Sequence, residues 1–345
     1  MSRLCIVREK NIKDLEREDI QHIAASFERT AFVTNKHELY IYDHDEDVPR
    51  EPVFRNVVHV SMSESHVLFL DREHNLYAFG SNLFGQVGIP SSQSVKITKP
   101  VNLNKFHQGI GKTKFRSCCA GGHHSSAIDI NGDLYSWGCG ELGELGTSLG
   151  KAHHSHDRVV GLCRHTPTRI SSRVQQISCG YAHNAIVTLD GELKSFGWGL
   201  YGQLGTNSTE NEFSPQTIDI KVNQVSCGFW HTCALSQGRV FVFGSGRFGQ
   251  LGLGFDKDKA FTPQHVNIPE IITNITCGSR HSVALSSSGN VYFWGLLNHS
   301  SRHDSNPKSL QSSRAAHFIP HRFPFKNKIK SITSGRWHYS ILFYT

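Results

Sequence analysis

One motif recurs along this chain and restricts its fold more than any other feature. Cys227-Gly228-Phe229-Trp230-His231-Thr232 leads into an apolar run, a Gln237-Gly238 turn and a second apolar run, and then Gly244 to Gly252 closes the unit on Gly-Gln-Leu-Gly. The same pattern runs over residues 60–88, 119–146, 177–205 and 275–295, with partial copies at 26–42 and 332–344. Anchored on Arg29 (degenerate), His66, His124, His183, His231, His281 and His338, the copies are 37, 58, 59, 48, 50 and 57 residues apart. A period near 50 is too long for a two-helix solenoid unit and suits a propeller blade.

Each copy reads as strands. Asp190-Gly191, Asn131-Gly132, Gln237-Gly238 and Ser288-Gly289 sit between β-rich runs, where glycine supplies the positive φ of a tight hairpin. Helical periodicity is confined to one short helix expected over Asn11 to Ile23. The last copy stops after its first hairpin strand, and Leu4 to Val7 is an apolar strand without a partner. The N-terminal strand is therefore expected to pair with the last blade and close a seven-bladed ring, which removes exposed sheet edges. On this reading residues 1–345 are a single propeller with inserted loops at about 147–173 and 296–328.

The motif C-G-x-x-H-[ST], hairpin, [FW]-G-x-x-x-x-G-Q-L-G resembles that of the regulator of chromosome condensation family. The resemblance covers nearly the whole chain and implies an all-β, seven-bladed propeller. Within the family the chain looks most like compact single-propeller members linked to chromatin. The resemblance also implies candidate roles: an adaptor in chromatin or nuclear regulation, a guanine-nucleotide exchange factor for a Ran-like small GTPase, or a ciliary or vesicle-trafficking scaffold.

Composition narrows the function classes. No apolar run approaches the ~18 residues of a membrane span. The start carries Arg3, Arg8, Glu9 and Lys10 and does not read as a secretory signal, so nine cysteines point to a reducing compartment, nuclear or cytoplasmic. The formal charge is +7, of which Ser300 to Lys330 carries +6, while Asp43 to Glu51 holds five acids. The 22 histidines are expected to add positive charge at the surface below about pH 6.5.

Three segments match G-x-G-x-x-G, at Gly138, Gly197 and Gly244, but no helical pattern follows, so they read as turn glycines. No nucleophile with an adjacent base and no paired acids stand out, so no enzyme activity and no cofactor is expected. Cys179, Cys227 and Cys277 belong to different blades, which argues against a shared metal, and no metal site is assigned. His153, His154, His156, Cys163 and His165 cluster in the 147–173 insertion without a recognised zinc spacing, which reads as a polar loop or a metal site.

Candidate binding residues fall in two groups. Tyr181, Phe229, Trp230, Arg280, Arg336 and Trp337 precede the repeat histidines and are expected to ring one mouth of the channel. Aromatic and arginine side chains are the usual chemistry of binding hot spots. Arg322, Lys326 and Lys328 lie in the basic stretch, among Phe318, Phe323 and Phe325. That stretch reads as a contact for nucleic acid, a nucleosome surface or an acidic protein, or as a solvated loop whose apolar tail is an outer strand. The expected partners are proteins, among them a chromatin-modifying enzyme, histones or a small GTPase, with the propeller itself monomeric. Phe84, Tyr201 and Phe248, in their glycine-framed turns, read as packing residues.

Overall fold

The computed structural model describes residues 2–8, 11–15, 19–26, 29–44, 49–90, 94–148, 163–297, 316–323, 325, 328–335 and 338–344. Among these, the strands form seven four-stranded antiparallel sheets. Blade one holds Ile20–Ala25, Arg29–Thr34, Glu38–Asp43 and Phe54–Arg55. Blade two holds Val57–Met62, His66–Asp71, Leu76–Ser81 and Lys96–Asn102. Blade three holds Phe115–Ala120, His124–Asp129, Leu134–Gly138 and Arg164–Ser171. Blade four holds Val174–Cys179, His183–Thr188, Glu192–Gly197 and Glu212–Lys221. Blade five holds Gln224–Cys227, His231–Ser236, Arg239–Ser245 and Lys259–His265. Blade six holds Ile272–Cys277, His281–Ser286, Val291–Leu296 and Ala316–Phe323. Blade seven takes Ile329–Ser334 and Tyr339–Tyr344 from the end of the chain and Ser2–Arg8 and Asn11–Leu15 from its start.

The closure differs from the sequence expectation. Not one N-terminal strand but two complete the last sheet, in the order Asn11–Leu15, Ser2–Arg8, Tyr339–Tyr344, Ile329–Ser334. Leu4 pairs with Leu342 on one side and Leu15 on the other. The expected helix over Asn11 to Ile23 is replaced by the strands Asn11–Leu15 and Ile20–Ala25. Asn11–Leu15 folds back on Ser2–Arg8, which is itself anchored on the remote strand Tyr339–Tyr344, and Ile20–Ala25 pairs with Arg29–Thr34, so tertiary context overrides local preference.

The apolar core lies between successive blades. Leu4 and Leu342 of blade seven pack with Ile20, Phe32 and Tyr40 of blade one, so the packing runs through the closing seam. Trp137 and Trp294 are fully buried, and their indole N–H groups donate to the carbonyls of Gln86 (3.0 Å) and Gln250 (2.9 Å) one blade back. At the Gln237-Gly238 turn both residues have positive φ, +48° and +78°, as a tight hairpin of this hand requires. Gly197 ends its strand at φ +107°, and a Cβ there would lie 2.6 Å from the Ala182 carbonyl oxygen. Turns follow the three G-x-G-x-x-G segments, so they cradle no phosphate at a helix start.

The repeat histidines are buried pins between blades. His66 Nε2 lies 2.7 Å from Ser125 Oγ, and that hydroxyl donates to the Gln86 carbonyl, so His66 is the donor. His124 donates to Asn184 Oδ1 (2.8 Å), and His183 and His231 lie 2.9 Å from Thr232 and Ser282. At blade one Arg29 replaces the histidine, and the facing position holds Val67, which needs no donor. Burial pushes His66, His183 and His281 down to about 3 and His124 to about 4. This corrects the expectation that the histidines as a group charge the surface below pH 6.5.

Blade three carries Glu144 where the corresponding turns of blades two, four and five carry glutamine. Gln86, Gln203 and Gln250 each accept a hydrogen bond from the backbone N–H two residues earlier, and Glu144 does the same from Leu142 (2.8 Å). Burial pushes the Glu144 carboxyl up to about 8. The folded chain thus holds a proton that the unfolded chain releases from about pH 4.5, so stability falls as pH rises from 4.5 to 8. Glu144→Gln is expected to stabilise the protein at pH 7 by on the order of 3 kcal/mol. Thermal unfolding measured at pH 7 and at pH 4.5 checks this, since the gain should vanish at the lower pH.

Candidate protein-docking face

The loop from inner to second strand is held from beneath. Gly180, Gly228 and Gly278 lie against the rings of His183, His231 and His281, where a Cβ would sit 2.1–2.4 Å from Cε1. With glycine and histidine fixed, the two residues between them are free to vary. In blades three to six this places His123, Tyr181, Phe229, Trp230 and Arg280 on the face carrying the loops that precede each histidine.

These side chains are in contact. Ring centroids are 5.7 Å apart for His123 and Tyr181, 5.1 Å for Tyr181 and Phe229, and 6.0 Å for Phe229 and Trp230. The Arg280 guanidinium lies 4.1 Å from the Phe248 ring centre and 5.7 Å from that of Trp230. Tyr201 joins Trp230 at 6.1 Å and Trp198 at 5.3 Å, with the Lys259 ammonium 5.5 Å from the Tyr201 ring. Tyr181, Phe229, Trp230 and Arg280 are all half-buried, so each has one packed side and one accessible side. Burial lowers His123, with the Glu64 carboxylate partly opposing it. Cation–π pairs of this kind hold an arginine at a fixed angle with little ordering left to do on binding.

The structure thus brings Tyr181, Phe229, Trp230 and Arg280 together. Arg336 and Trp337 lie outside the described residues, as do Lys326 and the histidines at 153, 154 and 156. Tyr201 and Phe248, expected as packing residues, do pack against Trp230 and also belong to this face, together with Trp198, which the sequence reading does not single out. Phe248 is indeed buried, yet its ring face carries Arg280. The signal was present: an aromatic two residues before each Gln, beside the repeat's variable pair.

Arg322 and Lys328 are on the opposite face. Arg322 sits on the outer strand of blade six opposite Tyr292, toward the Ser288-Gly289 hairpin and away from His281. Its guanidinium donates to Asn290 (3.0 Å) and lies 3.8 Å from Glu270. Hydrogen bonds from Ser288 and Tyr292 hold Glu270 down to about 2. Lys328 is exposed just before the inner strand of blade seven, also at the end away from the loops that precede the histidines. The tail of the basic stretch is the outer strand Ala316–Phe323.

A central cavity of about 230 Å³ is lined by all seven inner strands, with Ser61, Cys119, Ser178, Ser226, Thr276 and Thr333 at equivalent positions. Ser178 and Ser226 accept hydrogen bonds from the backbone of the next blade at Cys227 and Cys277 (2.9 Å each). Cys233 of blade five and Cys277 of blade six, with His231, place their ligand atoms within 4.8 Å of one another. Cys163, just before the outer strand Arg164–Ser171 that occupies the last part of the 147–173 segment, is hydrogen-bonded to Cys139, which lowers the Cys163 thiol and raises that of Cys139.

A family model described as the RCC1-like domain matches residues 7–339. The chain is 32% identical over 247 residues to the ultraviolet-B receptor UVR8 of Arabidopsis thaliana, covering 68% of this chain and 52% of that protein. It is 30% identical over 261 residues to the regulator of chromosome condensation of Xenopus laevis, covering 70% of this chain and 59% of that protein. The chain spans about half the length of these two curated relatives. The structure of human WBSCR16 superposes with a TM-score of 0.81 at 19% identity, covering 100% of this chain and 99% of that one. Prp20p of Saccharomyces cerevisiae, studied for binding Gsp1p and histones, gives 0.74 at 18% identity over 94% of this chain and 82% of that one.

Proposed function

Because the chain belongs to the RCC1-like domain family, we propose that it is a non-enzymatic interaction propeller, an adaptor in nuclear or chromatin regulation. Its protein partner sits on the face built from Tyr181, Phe229, Trp230 and Arg280. The observation that carries this reading is Arg280 held between Phe248 and Trp230, beside three more aromatic rings, Tyr181 and Tyr201 of blade four and Phe229 of blade five. Such an anchor is pre-organised, and arginine and tryptophan dominate measured hot spots. The docked group is acidic or aromatic, since it meets a guanidinium edge and ring faces.

Affinity purification of the tagged protein at moderate salt, followed by mass spectrometry, tests the reading. Arg280→Ala and Trp230→Ala are each expected to reduce recovery of the specific partners by at least tenfold, equivalent to about 1.4 kcal/mol. Reversal of Arg322 and Lys328 to Glu should leave recovery unchanged, because that patch faces the other way. Undiminished recovery with both alanine variants would reject the site. A nucleotide-release assay with Ran-like small GTPases separates the exchange-factor reading: acceleration by the wild-type protein would replace the adaptor role.

A further inference from the structure

We propose that His231, Cys233 and Cys277 form a three-donor site for zinc(II) in the interface between blades five and six. One ring nitrogen and two sulfurs lie within 4.8 Å of one another, and all three residues are buried. Nitrogen and thiolate donors suit zinc. Two thiolates and one imidazole leave a zinc site with no net charge, which lowers the desolvation cost of holding the ion inside the protein. Ser282 Oγ lies 2.9 Å from His231 Nε2 and 3.4 Å from Cys233 Sγ and donates to the Gln250 carbonyl, which holds the histidine ring in place beside the two sulfurs. Cys277 also lines the central cavity, which gives the ion a route in.

The repeats provide an internal comparison. The same three positions read His183, Ala185 and Cys227 at the preceding interface, and His124, Ser126 and Cys179 at the one before. At the following interface they read His281, Val283 and Ser334. Packing of a blade interface therefore does not require a cysteine at position 233. Cys233 completes a donor set that these other interfaces lack.

Binding replaces two S–H bonds by two Zn–S bonds and releases two protons to solvent, with no change of oxidation state. The full-length protein, reduced and stripped with a chelator, is titrated with Zn(II), and separately with Co(II) as a spectroscopic probe. One equivalent of zinc should remain bound through gel filtration, and cobalt should give a thiolate charge-transfer band in the near ultraviolet. Cys233→Ala and Cys277→Ser should abolish both signals. They are expected to fold, because Ala185 and Ser334 stand at those positions in other blades; circular dichroism checks this. Cys227→Ala should retain both signals. Failure of the wild-type protein to bind, or binding that survives Cys233→Ala and Cys277→Ser, overturns the site. Recovery of Cys233 and Cys277 as a disulfide from the metal-treated protein would do the same.

Discussion

Lowering the pH from 7.5 to 4 is expected to unfold this propeller in one steep transition centred near pH 5. Burial holds His59, His66, His183 and His281 at about 3 and His22 and His124 at about 4. His22 and His59 face each other across blades one and two with ring centroids 4.8 Å apart, and Lys330 lowers His22 further. The unfolded chain takes up a proton at each of these residues below about 6.5, whereas the folded chain does so only near 3–4. The stability is therefore fully present above 6.5 and is lost as pH falls. By pH 5 the six groups together remove on the order of 10 kcal/mol, comparable to the whole stability of an ordinary domain. Protonation of Glu144 in the unfolded chain works in the opposite sense and offsets a smaller part. Tryptophan fluorescence should report the transition, since Trp137 and Trp294 are fully buried. Net proton uptake of about five per molecule at the midpoint, six at the histidines less one released by Glu144, is the expected signature. Native fluorescence persisting at pH 4 would refute the account.

Deleting residues 1–15 should be as damaging. The deletion strips the outer two strands from blade seven and exposes the ladder edge of Tyr339–Tyr344. It also removes Leu4, fully buried against blade one, and opens the closing interface to water. A long unpaired edge invites association between chains. The truncated chain is expected to be recovered mainly as aggregate in size-exclusion chromatography. A synthetic peptide of residues 1–15, added during refolding, should restore part of the monomer. The point change Leu4→Ala, which keeps the ladder, should destabilise by about 3 kcal/mol. A truncated chain that runs as a monomer with an unchanged melting temperature would show that closure contributes little.

Much of the architecture was legible because each repeat states it afresh. Gln237-Gly238 and Asn131-Gly132 fix hairpins locally, and glycine at such turns has few alternatives. Other features depended on contacts that no local window contains. The sequence of Asn11–Leu15 suits a helix because its partner, Ser2–Arg8, acquires its role only once it lies beside Tyr339–Tyr344. Outer strands such as Lys96–Asn102 are mostly accessible and carry no clear alternation of apolar residues. The candidate face was readable as residue types, but not as neighbours. Trp230 and Arg280 were visible as variable residues in a constant frame, whereas the role of Phe248 depends on Arg280 crossing from the next blade. Arg322 shows the converse, since a charge count cannot tell which side of a ring a strand presents.

The split blade also bears on how the chain could be rewired. Its inner hairpin comes last and its outer hairpin first, with Ser2 opposite Tyr344. A short linker could join these neighbours, and a nick between Asp190 and Gly191 would divide blade four in the same way, inner pair last and outer pair first. The molecule is thus topologically a bracelet whose clasp has been placed at one link and could be moved to another, leaving the order of beads unchanged.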